Sequence, residues 1–478
     1  MEGGVPKTQN NINISLIGPF KSGKSTLLCQ LLHLLNKKES LRKGNLLNDF
    51  YKQTGYEMDE LPCQLFLSKP ERQFKMTVET KHISITHGNR ELSFYDLPGN
   101  IKFFKNMMKG LVLTDVAIFV ISAEEYFNYP FKLIRDLILI LYIKRISNII
   151  VCINKIDKLN YSYAYYQRIK DNLTEKFILY QINIKNVIFI PTSANKAKNL
   201  VKQSKKMMWD QNGSLMDVLN KVEIYGRKYS EDPFRFVVRK VDKVTGVGTI
   251  LTGKVVSGII KAGNQIDVLN YKRFTIINSI MKYGKETDCA HTGDEISIHL
   301  KGIDKSEVKS GNIIYPKYSP LYYTMAFTAH IFIVDCENEM KRGFSSTAYI
   351  HSIQIPCIFE EFISLIDIKT KNEILKSPKS LKKGDYALVK IIPRNVQPLK
   401  SFLMTEEFSK NQHLGNIIFR LSNVIVAIGK ITKIDNIKIT QEITKYKFDN
   451  IVKKYSNKYR SKFKDSNSYL KDLYKRFK

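Results

Sequence analysis

Eight residues near the start of the chain, Gly18-Pro19-Phe20-Lys21-Ser22-Gly23-Lys24-Ser25, have the types and spacing to hold a polyphosphate. Gly18 and Gly23 let backbone N–H groups approach phosphate oxygens. Lys24 is placed to reach the β- and γ-phosphates, and Ser25 to ligate Mg²⁺. With Lys21, Ser22 and Thr26 they complete the phosphate-binding set. The context fits, because an alternating apolar run (Ile12 to Ile17) precedes the loop and a helical run (Thr26 to Leu32) follows it. Such a loop, by itself, says only that a nucleoside triphosphate binds.

Three further elements follow in order: Asp96-Leu97-Pro98-Gly99, Asn154-Lys155-Ile156-Asp157 and Ser193-Ala194. Asp96 closes the strand-like run Leu92 to Tyr95 and is expected to hold Mg²⁺ through water, with the Gly99 N–H sensing the γ-phosphate. Asn154 ends the apolar run Asn148 to Ile153. The Asp157 carboxylate can accept from guanine N1–H and N2–H, a donor pair that adenine lacks, so the site would reject ATP. Lys155 would lie along the base, and the Ser193-Ala194 loop would offer backbone N–H to guanine O6. Each element is weak alone; four in order, each at a strand end, specify GTP and GDP as ligands with Mg²⁺ as the ion.

These residues need a scaffold, and the chain is long enough for several cores at 478 residues and 43% hydrophobic content. Up to about residue 225, strand-like and helix-like segments alternate, as in an α/β domain with a mostly parallel sheet. After it, short β-rich segments recur between turn signals: Phe234 to Val238, Thr249 to Val256, Gln265 to Leu269 and Glu295 to Leu300. A second β-rich block contains Thr328 to Val334, Ser346 to His351, Tyr386 to Ile392 and Val424 to Ile431. Both blocks read as β-barrels. The six cysteines are scattered without a CxxC pair, which points to reduced core thiols rather than disulfides or zinc ligands. The N-terminus lacks the basic and apolar parts of a signal peptide. Arg135, Asp136, Lys144 and Arg145 interrupt the most apolar region, Leu133 to Ile153, so no membrane span is expected and the expected location is cytoplasmic.

The net charge is +31. That balance favours a polyanion such as RNA, although a bias toward Lys, Asn, Ile and Tyr explains the global charge equally well. The segment from Ile437 to Lys478 is more pointed, with thirteen Lys/Arg against four Asp/Glu and aromatics interleaved. It reads as an RNA-contacting arm or a solvated terminal helix.

The chain resembles the translational GTPases of the elongation factor 1-alpha / elongation factor Tu family over about residues 10 to 436. Lys69-Pro70-Glu71-Arg72-Gln73-Phe74-Lys75-Met76-Thr77-Val78 resembles the family's switch I end, and Asp96-Leu97-Pro98-Gly99-Asn100 its D-x-P-G-H. Phe104 to Gly110 is similar to the helix F-I-K-N-M-I-x-G. Gly246 to Thr249 with Gly253 to Gly263 resembles the second-domain signature, and Lys341 to Phe344, Leu381 to Asp385 and Leu414 to Gly429 recur in the third. The resemblance implies an α/β P-loop GTPase domain (1–225), two β-barrel domains (230–318 and 319–436) and a basic C-terminal extension (437–478), read as helical. It puts Thr77 with Ser25 and Asp96 as Mg²⁺ ligands, and Lys24, Thr77 and Asn100 at the catalytic position. The implied partners are the ribosome, a tRNA or a tRNA-mimicking protein factor, and a guanine-nucleotide exchange factor.

The departures are specific. Asn100 stands where the family has the histidine that positions the attacking water. Lys21 replaces an acidic residue, Lys75 the switch I glycine, and Leu421 and Asn423 an Asp and a Gly. Ile298 to Asp304 resembles the release-factor branch, and Lys382 to Val389 the rescue branch. Two functions remain: a ribosome-dependent GTPase that delivers a tRNA-shaped ligand to the A site, or a GTP-gated adaptor that hydrolyses poorly.

Overall fold

The structure is a computed structural model, and it describes residues 11–39, 69–112, 114–224, 231–244, 248–267, 274–282, 284–317, 322–394 and 403–438. Its first body carries β1 (Asn11–Ile17), α1 (Lys24–Glu39), α2 (Lys69–Phe74), β2 (Lys81–His87), β3 (Arg90–Asp96), α3 (Phe104–Gly110), β4 (Val116–Ser122), α4 (Phe131–Ile143), β5 (Asn148–Asn154), α5 (Tyr163–Leu179), β6 (Val187–Pro191) and α6 (Leu215–Lys221). The sheet order is β2-β3-β1-β4-β5-β6. All neighbours are parallel except β2 and β3. Helices cover both faces, so β4 is buried at every position and reads as an unbroken apolar run. Ile118 and Val120 face Leu28 and Leu31 of α1, while Phe119 and Ile121 face Leu137 of α4 and Phe177 of α5.

The second body contains β7 (Arg235–Val244), β8 (Gly248–Ser257), β9 (Ile259–Lys261), β10 (Gln265–Asp267), β11 (Phe274–Lys282), β12 (Lys285–Thr287), β13 (Cys289–His291), β14 (Glu295–Leu300) and β15 (Ile313–Pro316). Six strands close in the order β10-β15-β7-β8-β14-β11, with β10 pairing back to β11. The third contains β16 (Tyr322–Ile333), β17 (Met340–Lys341), β18 (Ser345–Ile350), β19 (Ile353–Ile366), β20 (Glu373–Lys376), β21 (Ser380–Leu381), β22 (Tyr386–Pro393), α7 (Gln412–Gly415), β23 (Asn416–Leu421) and β24 (Val424–Lys438). It closes as β18-β23-β24-β16-β22-β19, through β18 to β19. Closure removes free edges and leaves an apolar interior. A P-loop domain followed by two barrels is therefore the architecture.

One expectation needs correction. Strand β24 runs to Lys438, where Lys438 pairs with Tyr322, so the first two residues of the extension read as helical are strand. The rest of that segment lies outside the described residues. Cys29, Cys152 and Cys357 are buried, whereas Cys289 and Cys336 are only half-buried; Cys63 is outside the described residues. Among the described residues no helix is long and apolar enough to cross a membrane.

Polar contacts join the three bodies. Asn13 Nδ2 donates to the Gly293 carbonyl at 2.9 Å, and Lys254 Nζ to the Val112 carbonyl at 2.9 Å. The Lys254 ammonium also lies 4.3 Å from the Tyr95 ring centre. On the other side Arg135 bridges Asp136 (2.8 Å) and Asp335 (2.9 Å), all buried, and Asp136 accepts the Ile425 N–H. Arg420 lies 4.0 Å above the Phe104 ring. The two barrels meet where Glu406 accepts from Arg235 and from the Tyr315 hydroxyl.

Candidate functional site

The phosphate loop turns between β1 and α1, and its geometry demands its glycines. Gly18 has φ 154° and a Cβ there would meet the Val120 carbonyl oxygen at 2.1 Å; Gly23 has φ 95°. Lys21 holds φ 62° without being glycine, a conformation that costs an L-residue free energy. Its side chain is exposed, while Ser22 and Lys24 are buried. Lys24 Nζ donates to the carbonyls of Gly18 (3.0 Å) and Pro19 (2.8 Å). Burial lowers the ammonium from 10.5 to about 8, against the opposing pull of Asp96. Thr26 sits half-buried on the first turn of α1. Gly99 presses against this loop, for a Cβ on it would come 2.3 Å from Lys24 Nζ and 2.9 Å from the Pro19 oxygen.

Three oxygen donors converge beside the loop. Ser25 Oγ donates to Asp96 Oδ2 at 2.6 Å, Thr77 Oγ1 donates to the same oxygen at 3.1 Å, and the two hydroxyls are 3.1 Å apart. Asp96 is fully buried and its Oδ1 has no hydrogen-bond partner. Burial raises its carboxyl above the usual range, against Ser25 and Lys24. Two hydroxyls and a carboxylate are hard oxygen ligands, the kind Mg²⁺ takes. The orphaned, buried Oδ1 of Asp96 fits such an ion. The residues expected from the sequence to hold it are the ones brought together.

Thr77 is held by two residues that sequence reasoning did not assign a role. Glu71, on α2, is buried; its Oε1 accepts the N–H groups of Val78 (2.9 Å) and Glu79 (3.1 Å), and its Oε2 pairs with Lys81 at 2.6 Å. Asn106, on α3, donates to the Val78 carbonyl at 2.9 Å and accepts the Thr80 hydroxyl on its own carbonyl at 2.7 Å. The segment that follows Thr77, Val78 to Thr80, is thus clamped from both sides. Glu71 and Asn106 both stand within stretches that resemble family motifs, Lys69 to Val78 and Phe104 to Gly110, but the resemblance gave neither of them a role. Lys75, between Glu71 and Thr77, adopts φ 48°, which explains why a glycine there would be free of strain and a lysine is not.

The base end is built on β5 and β6. Asn154 Nδ2 donates to the Ser22 carbonyl at 3.0 Å, and its Oδ1 accepts the Ala194 N–H at 3.0 Å. One side chain therefore joins the phosphate loop to the Ser193-Ala194 loop. Lys155 takes φ 60°, turning the chain so that Asp157 faces that loop, and Ser193 Oγ donates to Asp157 Oδ1 at 2.5 Å. Asp157 and Lys155 are half-buried, open on one side.

Asn100 is engaged elsewhere. Its Oδ1 accepts the Lys102 N–H at 3.0 Å and caps the short 3₁₀ turn Ile101–Phe103. Asparagine is a preferred residue for that duty, as histidine is not.

Comparison with known proteins supports the same class of protein. The Elongation factor Tu GTP binding domain family matches residues 9–245, Elongation factor Tu domain 2 matches 248–315, and the GTP-eEF1A C-terminal domain-like family matches 326–432. The chain belongs to the translational GTPases, as a divergent member. Elongation factor 1-alpha of Pyrobaculum arsenaticum is 28% identical over 429 residues, covering 89% of this chain and 95% of that one. The protein of the same name from Methanocaldococcus jannaschii is 28% identical over 436 residues, covering 89% and 98%. In fold the chain is similar to the GTP-bound Ski7 GTPase-like domain of S. cerevisiae, with TM-score 0.70, 16% identity and coverage of 88% and 97%. Translation elongation factor SelB of Methanococcus maripaludis, in complex with the GTP analogue GppNHp, gives TM-score 0.63 at 19% identity over 91% and 81% of the chains.

Proposed function

We propose that this chain binds GTP with Mg²⁺ and delivers aminoacyl-tRNA, or a tRNA-shaped release or rescue factor, to the ribosomal A site, with hydrolysis to GDP as the release switch. The observation that carries the reading is the convergence of Ser25, Thr77 and Asp96 next to a buried Lys24. Gly18, Lys21, Ser22, Gly23, Lys24 and Thr26 would line the triphosphate, Gly99 would sense its end, and Asn154, Lys155, Asp157, Ser193 and Ala194 would enclose guanine. Bound there by Ser25, Thr77 and Asp96, Mg²⁺ would neutralise charge on phosphate oxygens. Glu71 and Asn106 hold Thr77 in place, so the ordered switch I depends on both α2 and α3. Cytoplasmic location and dependence on an exchange factor belong to the same reading.

The adaptor reading is favoured by one observation: Asn100 Oδ1 accepts the Lys102 N–H, which ties its side chain to the 3₁₀ turn and leaves one oxygen lone pair and the amide for a water. Nucleotide binding would then gate the chain while hydrolysis stayed slow. The experiment is a multiple-turnover GTPase assay with and without ribosomes, run beside equilibrium binding of GTP and ATP with and without Mg²⁺. Stimulated turnover supports delivery; tight Mg²⁺-dependent GTP binding without turnover supports the adaptor. Equal affinity for ATP and GTP would remove both.

A further inference from the structure

A ridge of alternating cations and rings crosses from the first body onto the third. Arg145, just past α4 and exposed, lies with its guanidinium carbon 4.7 Å from the Phe408 ring centre. Lys430 Nζ lies 5.0 Å from the same ring. Lys430 on β24 is directly opposite His330 on β16. His330 stacks on Tyr386 of β22, with centres 5.5 Å apart and planes 12° apart, and Lys371 Nζ stands 5.0 Å from the Tyr386 ring. The order is Arg145, Phe408, Lys430, His330, Tyr386, Lys371.

These cations meet one another and no acid. Elsewhere on the barrels lysines find carboxylates, as in Lys243–Asp304, Lys382–Glu339 and Lys390–Glu360. Among the described residues no carboxylate lies within ion-pair distance of Lys371 or Lys430. Burial lowers Lys430, and Arg145 and Lys371 lower it further; burial, Lys371 and Lys430 do the same to His330. His330 Nδ1 is buried without a partner. The rings hold the cations at fixed positions by cation–π attraction, so little side-chain freedom remains to be lost on binding. A row of repelling cations with no internal counter-charge is complementary to an external polyanion.

We propose that this ridge docks the sugar–phosphate backbone of an RNA, resting on the reading of the chain as an RNA-engaging translation factor. The rings separate the cations, and the exposed Arg145 guanidinium offers a flat surface to a base. Because Arg145 belongs to the first body and the other five residues to the third, the ridge is complete only while those bodies stay docked.

The test uses the full chain, free of nucleotide, with a mixed-sequence 20-nucleotide single-stranded RNA as one probe and polyglutamate as the other. In the double variant Lys371→Gln/Lys430→Gln, RNA affinity should fall. The salt slope of log K should fall by about 1.4, at about 0.7 per lost phosphate contact. Lys390→Gln, which removes a paired lysine, should leave the slope unchanged, and taking differences against the parent cancels the share of residues 437–478. An unchanged slope in the double variant overturns the proposal. A larger loss for polyglutamate than for RNA also overturns it, in favour of an acidic protein partner. GTP binding of the parent is measured separately: if it is absent, the proposed function fails while the result for the ridge stands.

Discussion

The two halves of the nucleotide site are built on opposite principles. At the base end the protein satisfies itself: Asn154 is spent on Ser22 and Ala194, and Ser193 already occupies one oxygen of Asp157. At the phosphate end Lys24 and Asp96 are both buried, both are shifted toward their neutral forms, and one Asp96 oxygen is unpaired. The base end is scaffold that stays shaped without its ligand. The phosphate end carries an electrostatic strain that a bound cation and anion would relieve. Specificity is therefore stored in the fold, while affinity and switching are left to the ligand.

The largest effect should come from the base end. Asp157→Asn should reverse the preference between GTP and XTP, a swing on the order of 10⁴-fold, because a site built to hydrogen-bond its ligand rejects one with the wrong donors. Competition binding reads it, and an unchanged preference would remove Asp157 from the base contact. Next, Asn100→His should raise ribosome-stimulated hydrolysis by on the order of 10²-fold or more if the remaining machinery is competent. No gain would favour the adaptor.

Asp96→Asn sharpens the contrast between the halves. It removes a buried, under-paired charge, so the ligand-free protein should melt no lower than the parent. The Mg²⁺-dependent part of stabilisation by GTP, roughly 2–3 kcal/mol at saturating ligand, should vanish. A lower ligand-free melting point would mean that Asp96 already stabilises the fold. Glu71→Gln keeps the shape of the clamp and loses its charge, which should cost about 1–2 kcal/mol in GTP affinity and leave GDP affinity intact. Equal weakening of both nucleotides would place Glu71 outside the switch.

The remaining effect is on pH dependence. His82 stacks on Tyr95 at 4.6 Å beside Glu295, and His351 is buried against the Met404 carbonyl. Burial holds both near 4, below the ordinary 6.5. Between those values the unfolded chain binds more protons than the folded one. Stability is therefore full above about 6.5 and declines toward 4, by at most about 1.4 kcal/mol per pH unit for each imidazole. Chemical denaturation at pH 7 and pH 5 measures it, and His351→Gln should remove about half of the difference.

What was legible in the sequence is what is local. The phosphate loop, Asp96 and the Asn154-to-Asp157 turn are short and contiguous, and strands such as Glu295–Leu300 alternate cleanly. Strand β19 was missed because Pro356, Glu360 and Glu361 interrupt its pattern; it bends through two register shifts instead of ending. Arg135 and Asp136 looked like charges that break an apolar run. They form the buried network with Asp335, a partner 200 residues away in the sequence. Glu71 and Asn106 were invisible as anchors because the groups they hold after Thr77 are backbone N–H and C=O, which no side-chain pattern reports. The capping duty of Asn100 was hidden for the same reason.

Strand β2 can also be regarded as a mechanical linkage. Its first residue, Lys81, sits opposite Asp96, and its second, His82, faces Glu295 of the second body. Thr77 lies only four residues upstream, and Lys81 is already pinned to Glu71. A rod this short, anchored at both ends, has almost no play. Displacing Thr77 from Asp96 would load the end of β2 or the acid it leans on, and His82 hands that load to Glu295 of the first barrel.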